Sequence, residues 1–230
     1  MKSINKPIVV LSDKEPFASG GNRICFRHPT KSNHCLKVIR PDRTPAVRRS
    51  QKRFPANLRP LTTYDENLVE IAVLNYLHTS YPTKITRHLP RSFGLVETDL
   101  GTAHETDLIC DENMLISQTL EQYIWANGLD SIAEQAIKRF KENWAVKPPH
   151  TRDLIPHNFV IRIGQKEADL VLIDGFGRKP ATNFRFKGTL AKLSVKRRIK
   201  DFDFRIQLIV ERKAKNNGPM HRINNLKREN

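Results

Sequence analysis

Cysteine is scarce in this chain of 230 residues, and the three cysteines form no recognisable metal or disulfide pattern. Cys25, Cys35 and Cys110 are odd in number and widely spaced, and no two of them form a CxxC pair. This set indicates neither a disulfide framework nor a structural zinc site. Free thiols of this kind are common in protein cores, so we expect buried, unlinked cysteines.

Long hydrophobic runs are also missing. The first residues contain only the apolar run IVVL, at 8–11, and no longer run resembles a signal peptide or a membrane span. The 38% of hydrophobic residues are enough for one sizeable core or for two small lobes that share a cleft. We therefore expect a globular protein of the cytoplasm.

Acidic residues are few, since 24 Asp and Glu face 40 Lys and Arg and the net charge is +16. Residues 185–230 alone contain 14 Lys and Arg against 4 Asp and Glu. Such an excess favours polyanionic partners, and the basic C-terminal region is a candidate for contact with an anionic surface at the periphery of the inner membrane. Aromatic residues make up only 7%, and no RNA-recognition, zinc-finger or helix-turn-helix pattern occurs, so no specific nucleic-acid recognition is predicted.

The first half of the chain predicts strands around a single helix. The three strands expected are PIVVL at 7–11 with its continuation to Ala18, RICFRH at 23–28 and HCLKVIR at 34–40. A basic loop with four prolines and room for one short helix follows at 41–62, and then a helix at 63–80. The stretches SFGLVET and AHETDLIC then predict a strand pair around Gly101.

The second half is mostly helical in pattern. Amphipathic helices are predicted at 117–128 and 130–146, a β-hairpin at 157–174, a basic helix at 189–213 and a mobile tail at 214–230. The predicted elements thus come in the order of a two-lobed kinase: strands, one helix, two more strands, and then helices with an inserted hairpin. The fold class expected is therefore α+β, with a small antiparallel N-lobe at 1–110 and a mostly helical C-lobe at 111–213.

The hairpin region carries the residues that phosphoryl transfer requires. Arg152, Asp153 and Asn158 have the RD-x4-N spacing of a kinase catalytic loop, and Asp174 opens a DGFG sequence 21 residues after Asp153. A hairpin between them would return Asp174 close to Asn158, so that both could hold Mg²⁺ between the phosphates of ATP. Asp153 would face the hydroxyl group of the acceptor.

A lysine on the third strand completes this pattern. Lys37 lies in CLKVIR and matches the kinase lysine that binds the α- and β-phosphates and pairs with a helix carboxylate. Glu66 and Glu70 lie on one face of the predicted helix, so periodicity leaves the choice between them open. We expect Glu70, which lies nearer to the middle of the helix.

Two further segments are predicted to contact the nucleotide. Gly20, Gly21 and Asn22 would form a turn over the phosphates, where glycine lets backbone amides approach an anion, although a full GxGxxG is missing. The segment HETDLI, with Glu105 and Leu108, would supply the hinge whose backbone hydrogen-bonds adenine.

The same segments resemble the YrbL family, named for the PhoP regulatory network. The similarity spans about residues 15 to 210 and is carried by the sequences GGNR…C…HP…CLKV, ETDLG, ISQTLEQY, RDLIPHNFVI and LVLIDGFG. That family is similar to bacterial lipopolysaccharide kinases within the protein-kinase-like superfamily. The resemblance therefore implies a kinase-like fold, nucleotide chemistry, and functional positions at Lys37, Glu70, Asp153, Asn158 and Asp174.

Three departures bear on activity. Thr151 stands where the HRD pattern has histidine, the DGFG sequence has one glycine more than plain DFG, and no APE-type element follows Gly177. A non-protein acceptor therefore gains weight. The sequence leaves three functions open: an ATP-dependent kinase acting on an unidentified hydroxyl acceptor, a pseudokinase that binds nucleotide for regulation, and a basic binder of nucleic acid or anionic membrane.

Overall fold

The computed structural model describes residues 8–147, 149, 151, 154–176 and 189–219, and within 189–195 it describes the backbone only. The chain divides into two compact units, the first formed by residues 1–72 and 91–108 and the second by 73–90 and 109–230. The fold is α+β, as predicted. Residues 73–90 group with the second unit because Val73, Leu74 and Leu77 belong to its core.

The first unit contains a five-stranded antiparallel sheet in the order β1-β2-β3-β5-β4. Its strands are β1 (Ala18–Ser19), β2 (Arg23–Arg27), β3 (His34–Ile39), β4 (Ser92–Thr98) and β5 (Gly101–Asp107). The strand predicted from residue 7 onward is wrong in length, since Val9 forms only an isolated bridge with Thr98. The physical reason lies in Asp99, whose carboxylate accepts hydrogen bonds from the amides of Leu11 and Ser12 and so diverts this backbone from a strand.

The two faces of this sheet differ in chemistry because successive side chains of a strand point to opposite sides. One face is apolar and packs around a small core of Leu11, Phe26, Leu36, Val38 and Ala103. The other face brings Lys37 of β3 directly opposite Cys25 of β2 and His104 of β5. The polar groups of interest therefore share one side of the sheet.

The segment that leaves β3 contains α1 (Pro45–Ser50) and three short 3-10 turns before α2 (Glu66–Ser80) begins. The Asp65 carboxylate accepts a hydrogen bond from the amide of Leu68 and so satisfies a free donor in the first turn of α2. The predicted basic loop and the predicted helix are thus both present, and α2 starts three residues later than expected.

The second unit is built from helices and one hairpin. Its elements are α3 (Thr83–Thr86), α4 (Leu120–Asn127), α5 (Ser131–Val146), β6 (Phe159–Ile163), β7 (Ala168–Leu172) and α6 (Thr189–Ala214). Thr119 and Gln122 form a reciprocal capping box, which explains why α4 begins at Leu120 and not at the predicted residue 117. Phe140, Trp144, Phe159 and Phe202 are fully buried in its core. Of the tail predicted to be mobile, residues 220–230 lie outside the described residues.

Candidate functional site

Lys37 and Glu70 form a buried ion pair. The Nζ of Lys37 donates a hydrogen bond of 2.6 Å to Oε1 of Glu70, and the two residues are 7% and 5% exposed. Asn67, one turn before Glu70, donates through Nδ2 to the backbone oxygen of Lys37 over 3.1 Å and of Thr102 over 3.3 Å. These bonds attach α2 to β3 and β5 and fix which side of the helix faces Lys37.

Arg23 occupies the second oxygen of the same carboxylate. Its Nη2 lies 2.6 Å from Oε2 of Glu70, and Nδ1 of His104 lies 3.5 Å from Oε1. Burial alone would raise the pKa of Glu70, but the positive charges of Arg23 and Lys37 hold that pKa well below its usual value. Glu70 therefore stays ionised and orients two cations at once.

Glu66 has a different role. Its Oε1 accepts from Nδ2 of Asn22 over 3.0 Å and lies 2.9 Å from Nη1 of Arg48. Glu66 therefore ties the β1–β2 turn and α1 to the start of α2, while Glu70 pairs with Lys37.

The glycine turn lies where the sequence predicted it, between β1 and β2. The amide of Gly20 donates to the backbone oxygen of Arg23 over 2.8 Å, and the amide of Arg40 donates to that of Asn22 over 2.9 Å. A Cβ added to Gly21 would meet no atom within 4 Å. The described packing therefore does not itself require glycine at this position, and a role of Gly20, Gly21 and Asn22 in nucleotide binding stays a prediction.

The predicted hinge residues are engaged in contacts within their own unit. Glu105 lies inside β5, which is paired on both sides, and its buried carboxylate is 2.6 Å from Nζ of Lys31 and 2.7 Å from Nδ1 of His34. The amide of Leu108 donates to the backbone oxygen of Asn33 over 2.7 Å. Adenine contact by Glu105 and Leu108 stays a prediction, and the side chain of Glu105 holds the β2–β3 connection in place.

In the second unit, the hairpin brings Asn158 and Asp174 to neighbouring positions. Phe159 of β6 pairs with Leu172 of β7, and the amide of Ile173 donates to the backbone oxygen of Asn158 over 2.8 Å. Asp174 follows directly, its Oδ1 accepts the amide of Gly175 over 2.7 Å, and Gly175 has φ +79°. A positive φ suits glycine and turns the chain sharply after the exposed Asp174.

This donor set fits Mg²⁺ in its chemistry. Asn158 and Asp174 offer amide and carboxylate oxygens, and Mg²⁺ in phosphate-binding sites commonly takes one or two protein groups together with phosphate oxygens. Within the described ranges, no cluster of three or more His, Cys, Asp or Glu side chains offers a self-sufficient metal site. A metal at this hairpin would therefore need phosphate or water as further ligands.

The other two residues of the predicted catalytic loop, Arg152 and Asp153, lie outside the described residues. Thr151, in the position of the HRD histidine, is 1% exposed, and its Oγ1 has no hydrogen-bond partner in the part of the chain that the structure describes. A threonine at this position does not supply the hydrogen bonds of an imidazole.

Arg23 is the residue of this site that the sequence interpretation missed as a partner of Glu70. An arginine in a strand is ordinarily solvated, so its type alone carries little signal. Its position does carry one: Arg23 is two residues before Cys25, which opposes Lys37, and alternation puts all three side chains on one face.

The basic C-terminal helix exposes part of its charge. Lys196, Arg197 and Lys200 are exposed on α6, whereas the Nζ of Lys213 donates to the backbone oxygen of Ala126 over 3.1 Å. Contact of this helix with an anionic surface stays a prediction. No helix in the described part of the chain has the length and hydrophobicity of a membrane span.

These features define a class. An antiparallel sheet whose third strand carries a lysine paired with a glutamate of the following helix is the small-lobe arrangement of protein kinases, and a hairpin that joins an Asn to an Asp is typical of their metal-binding segment. The fold is kinase-like. The chain belongs to the family described as PhoP regulatory network protein YrbL, whose model matches residues 9–207, which confirms the resemblance seen in the sequence.

Individual relatives agree with this assignment. The chain is 26% identical over 176 residues to "Uncharacterized protein YrbL" of Escherichia coli K12 and, equally, to that of Shigella flexneri, with 74% of each chain covered. Among solved structures it is similar to the bifunctional kinase-methyltransferase WbdD, at 12% identity and a TM-score of 0.43. The match covers 84% of this chain but only 43% of WbdD, a likeness too low to support any functional inference.

Proposed function

We propose that this protein is an ATP-dependent phosphotransferase of the kinase-like type, which transfers the γ-phosphoryl group of ATP to a hydroxyl acceptor. The single observation that supports the proposal most strongly is the buried Lys37–Glu70 ion pair. A buried ammonium group needs a counter-charge, and Glu70 supplies it on the polar side of the sheet that Lys37 shares with Cys25.

Each residue has a role that its chemistry suits. Lys37, oriented by Glu70, donates hydrogen bonds to the α- and β-phosphate oxygens, and Gly20 and Gly21 allow the backbone close to the phosphates. Asn158 and Asp174 hold the magnesium that, when bound, neutralises the phosphate charge. Asp153 orients the acceptor hydroxyl and accepts its proton as the oxygen attacks phosphorus and the bond to ADP breaks.

The acceptor is best sought among non-protein hydroxyl groups. No APE-type element follows Gly177 in the sequence, so a protein-kinase activation segment is not indicated. We place envelope sugars or lipids first, aminoglycoside-like small molecules second and protein serine third.

A turnover assay tests the proposal. Purified protein with Mg-ATP and a panel of these acceptors should release ADP and label one acceptor class, and Asp153→Asn and Asp174→Ala should each abolish the transfer. Asp13→Asn, at an exposed residue paired only locally with Lys14, is a control that should keep full activity. Undiminished transfer by Asp153→Asn would count against the assigned roles.

A second candidate function, nucleotide binding without transfer, is favoured by Thr151. A buried threonine cannot replace the hydrogen bonds of the HRD histidine, so the catalytic loop could hold a nucleotide without positioning an acceptor. Thermal stabilisation by Mg-ATP, with no ADP release for any acceptor, would support a regulatory pseudokinase. Thr151→His should then raise turnover if this position limits it.

A further inference from the structure

An amphipathic loop in the first unit projects apolar side chains into solvent. We call residues 52–61, KRFPANLRPL, the cationic tip. Within it Phe54 is 78% exposed, Leu58 71% and Leu61 41%. Single exposed hydrophobic residues are ordinary, but three within eight positions form a patch that calls for an explanation.

The cationic tip is ordered and not a frayed loop. Successive backbone hydrogen bonds of 2.9 to 3.3 Å link residues 53–59 in tight turns. The hydroxyl of buried Tyr64 donates to the backbone oxygen of Ala56, and Nη1 of Arg48 donates to the backbone oxygen of Tyr64 over 2.9 Å. The fold therefore keeps Phe54 and Leu58 exposed to solvent. Burying these side chains against a binding partner would be favourable by the hydrophobic effect.

The charge around these side chains is of one sign. Residues 43–64 contain six Lys and Arg and no Asp or Glu. Lys52, Arg53 and Arg59 are exposed and form no ion pair with any residue that the structure describes. The patch thus joins apolar side chains to cations that lack counter-charges in the described part of the chain.

We propose that the cationic tip docks on an anionic lipid bilayer. Phe54 and Leu58 would enter the interface between headgroups and acyl chains, and Lys52, Arg53 and Arg59 would contact the lipid phosphates. A double-stranded nucleic acid would satisfy the cations through its phosphates but offers no apolar layer for Phe54 and Leu58. The bilayer satisfies both halves of the surface, and this inference does not depend on phosphoryl transfer.

Cosedimentation with vesicles tests the docking. The protein should bind phosphatidylcholine vesicles that contain a third of phosphatidylglycerol, bind less as salt rises, and not bind phosphatidylcholine alone. Phe54→Ser with Leu58→Ser should weaken partitioning at least tenfold, and Lys52→Gln with Arg53→Gln and Arg59→Gln should remove the preference for anionic lipid. Since all five side chains are exposed, these variants should unfold at the wild-type temperature.

The C-terminal helix supplies matched controls. Phe204 is 68% exposed on α6, near Lys196 and Arg197, so Phe204→Ser and Lys196→Gln with Arg197→Gln alter the same residue types at another surface. These variants alter the other basic surface, for which the sequence also predicts contact with an anionic surface. If the cationic tip is the surface that docks, they bind vesicles as the wild type does. Three results would each overturn the proposal. They are wild-type vesicle binding by the variants of the cationic tip, loss of vesicle binding in the α6 variants alone, and binding of the protein to RNA but not to vesicles.

A fluorescence measurement serves if the double variant fails to fold. Phe54→Trp should shift its emission to shorter wavelength when anionic vesicles are added, and brominated lipids should quench it. Phe204→Trp should show neither change. An unshifted Phe54→Trp spectrum on vesicles that do bind the protein would contradict insertion of the cationic tip.

Discussion

Lys37 Nζ lies 2.6 Å from Glu70 Oε1, with both side chains almost fully withdrawn from water. Two charges are costly to bury, and their attraction offsets that cost only when the geometry is good and the remaining polar atoms are satisfied. Here the second oxygen of Glu70 is taken by Arg23 at 2.6 Å. The carboxylate is thus the common partner of two buried cations, and removing it affects both.

The first prediction concerns that carboxylate. Glu70→Gln leaves Lys37 and Arg23 buried without their counter-charge and should lower the free energy of unfolding by about 3–5 kcal/mol, measured by urea denaturation. Glu66→Gln is the matched control four residues away. Because Glu66 is partly exposed, its loss should cost no more than about 1 kcal/mol. Equal effects of the two substitutions would contradict the assignment of Glu70 as the buried partner.

The second prediction concerns the glycine turn. Gly21→Ala adds a methyl group where no atom lies within 4 Å, so the variant should fold with wild-type stability. If the turn approaches phosphate, the same methyl group should weaken Mg-ATP binding several-fold, as measured by calorimetry. Gly164→Ala serves as a contrast, because its Cβ would lie 3.1 Å from the backbone oxygen of Glu167 and should affect stability. Unchanged ATP affinity in Gly21→Ala would remove Gly21 from the binding turn.

The third prediction concerns Cys25, which shares a sheet face with Lys37. A hydrogen bond with Cys35 lowers the pKa of the Cys25 thiol to about 7. Burial opposes this shift, and the positive charges of Lys37 and Arg23 support it. The pKa of Cys35 is raised. Alkylation by iodoacetamide should therefore increase through about pH 7 and map to Cys25 by peptide mass analysis. Cys35→Ala should move this midpoint upward. An inflection close to the ordinary thiol value of 9.0 would contradict the contact.

The fourth prediction concerns stability against pH in the second unit. His88 is fully buried, with Nδ1 2.6 Å from the backbone oxygen of Leu170 and Nε2 3.0 Å from Nδ2 of Asn143. Since the carbonyl oxygen of Leu170 can only accept, Nδ1 carries the proton and Nε2 accepts from Asn143. Burial lowers the pKa of His88 below 6.5, so the unfolded chain takes up a proton before the folded one does.

The contribution of His88 to stability is therefore complete above pH 6.5 and is lost as pH falls through the folded pKa. His88→Gln should be less stable at neutral pH but should have a flatter dependence, by up to about 1.4 kcal/mol per pH unit in the acidic range. Urea titrations of both proteins across this range measure the slopes. Parallel curves would mean that His88 is not the titrating group.

Much of the first unit follows from local patterns in the sequence. The position of Lys37 on a third strand and the existence of α2 depend on alternation and helical periodicity, which are read over a few residues. The choice between Glu66 and Glu70 was not accessible in this way. It depends on the rotation of α2 about its axis, which the hydrogen bonds of Asn67 to β3 and β5 determine.

Other features of the fold could not be predicted from the sequence, because contacts between residues far apart along the chain determine them. The first predicted strand is shorter than expected because the carboxylate of Asp99 accepts hydrogen bonds from the amides of Leu11 and Ser12, 88 and 87 residues before it. In the second unit the hairpin was predictable from its spacing, and its register does set Asn158 beside Ile173 and Asp174. The exposure of Phe54 and Leu58 was not predictable, because Phe and Leu in a sequence are as compatible with a core as with a surface.

Binding of Mg-ATP to the wild type and to Lys37→Met, measured side by side by calorimetry, tests the central claim most directly. Methionine keeps the length and apolar stem of the side chain but cannot donate to phosphate, and Lys14→Met at an exposed position is the control. We predict that the wild type and Lys14→Met bind Mg-ATP alike and that Lys37→Met loses at least about tenfold in affinity, or about 1.4 kcal/mol. Wild-type affinity in a folded Lys37→Met variant, or no nucleotide binding by the wild type, would contradict it.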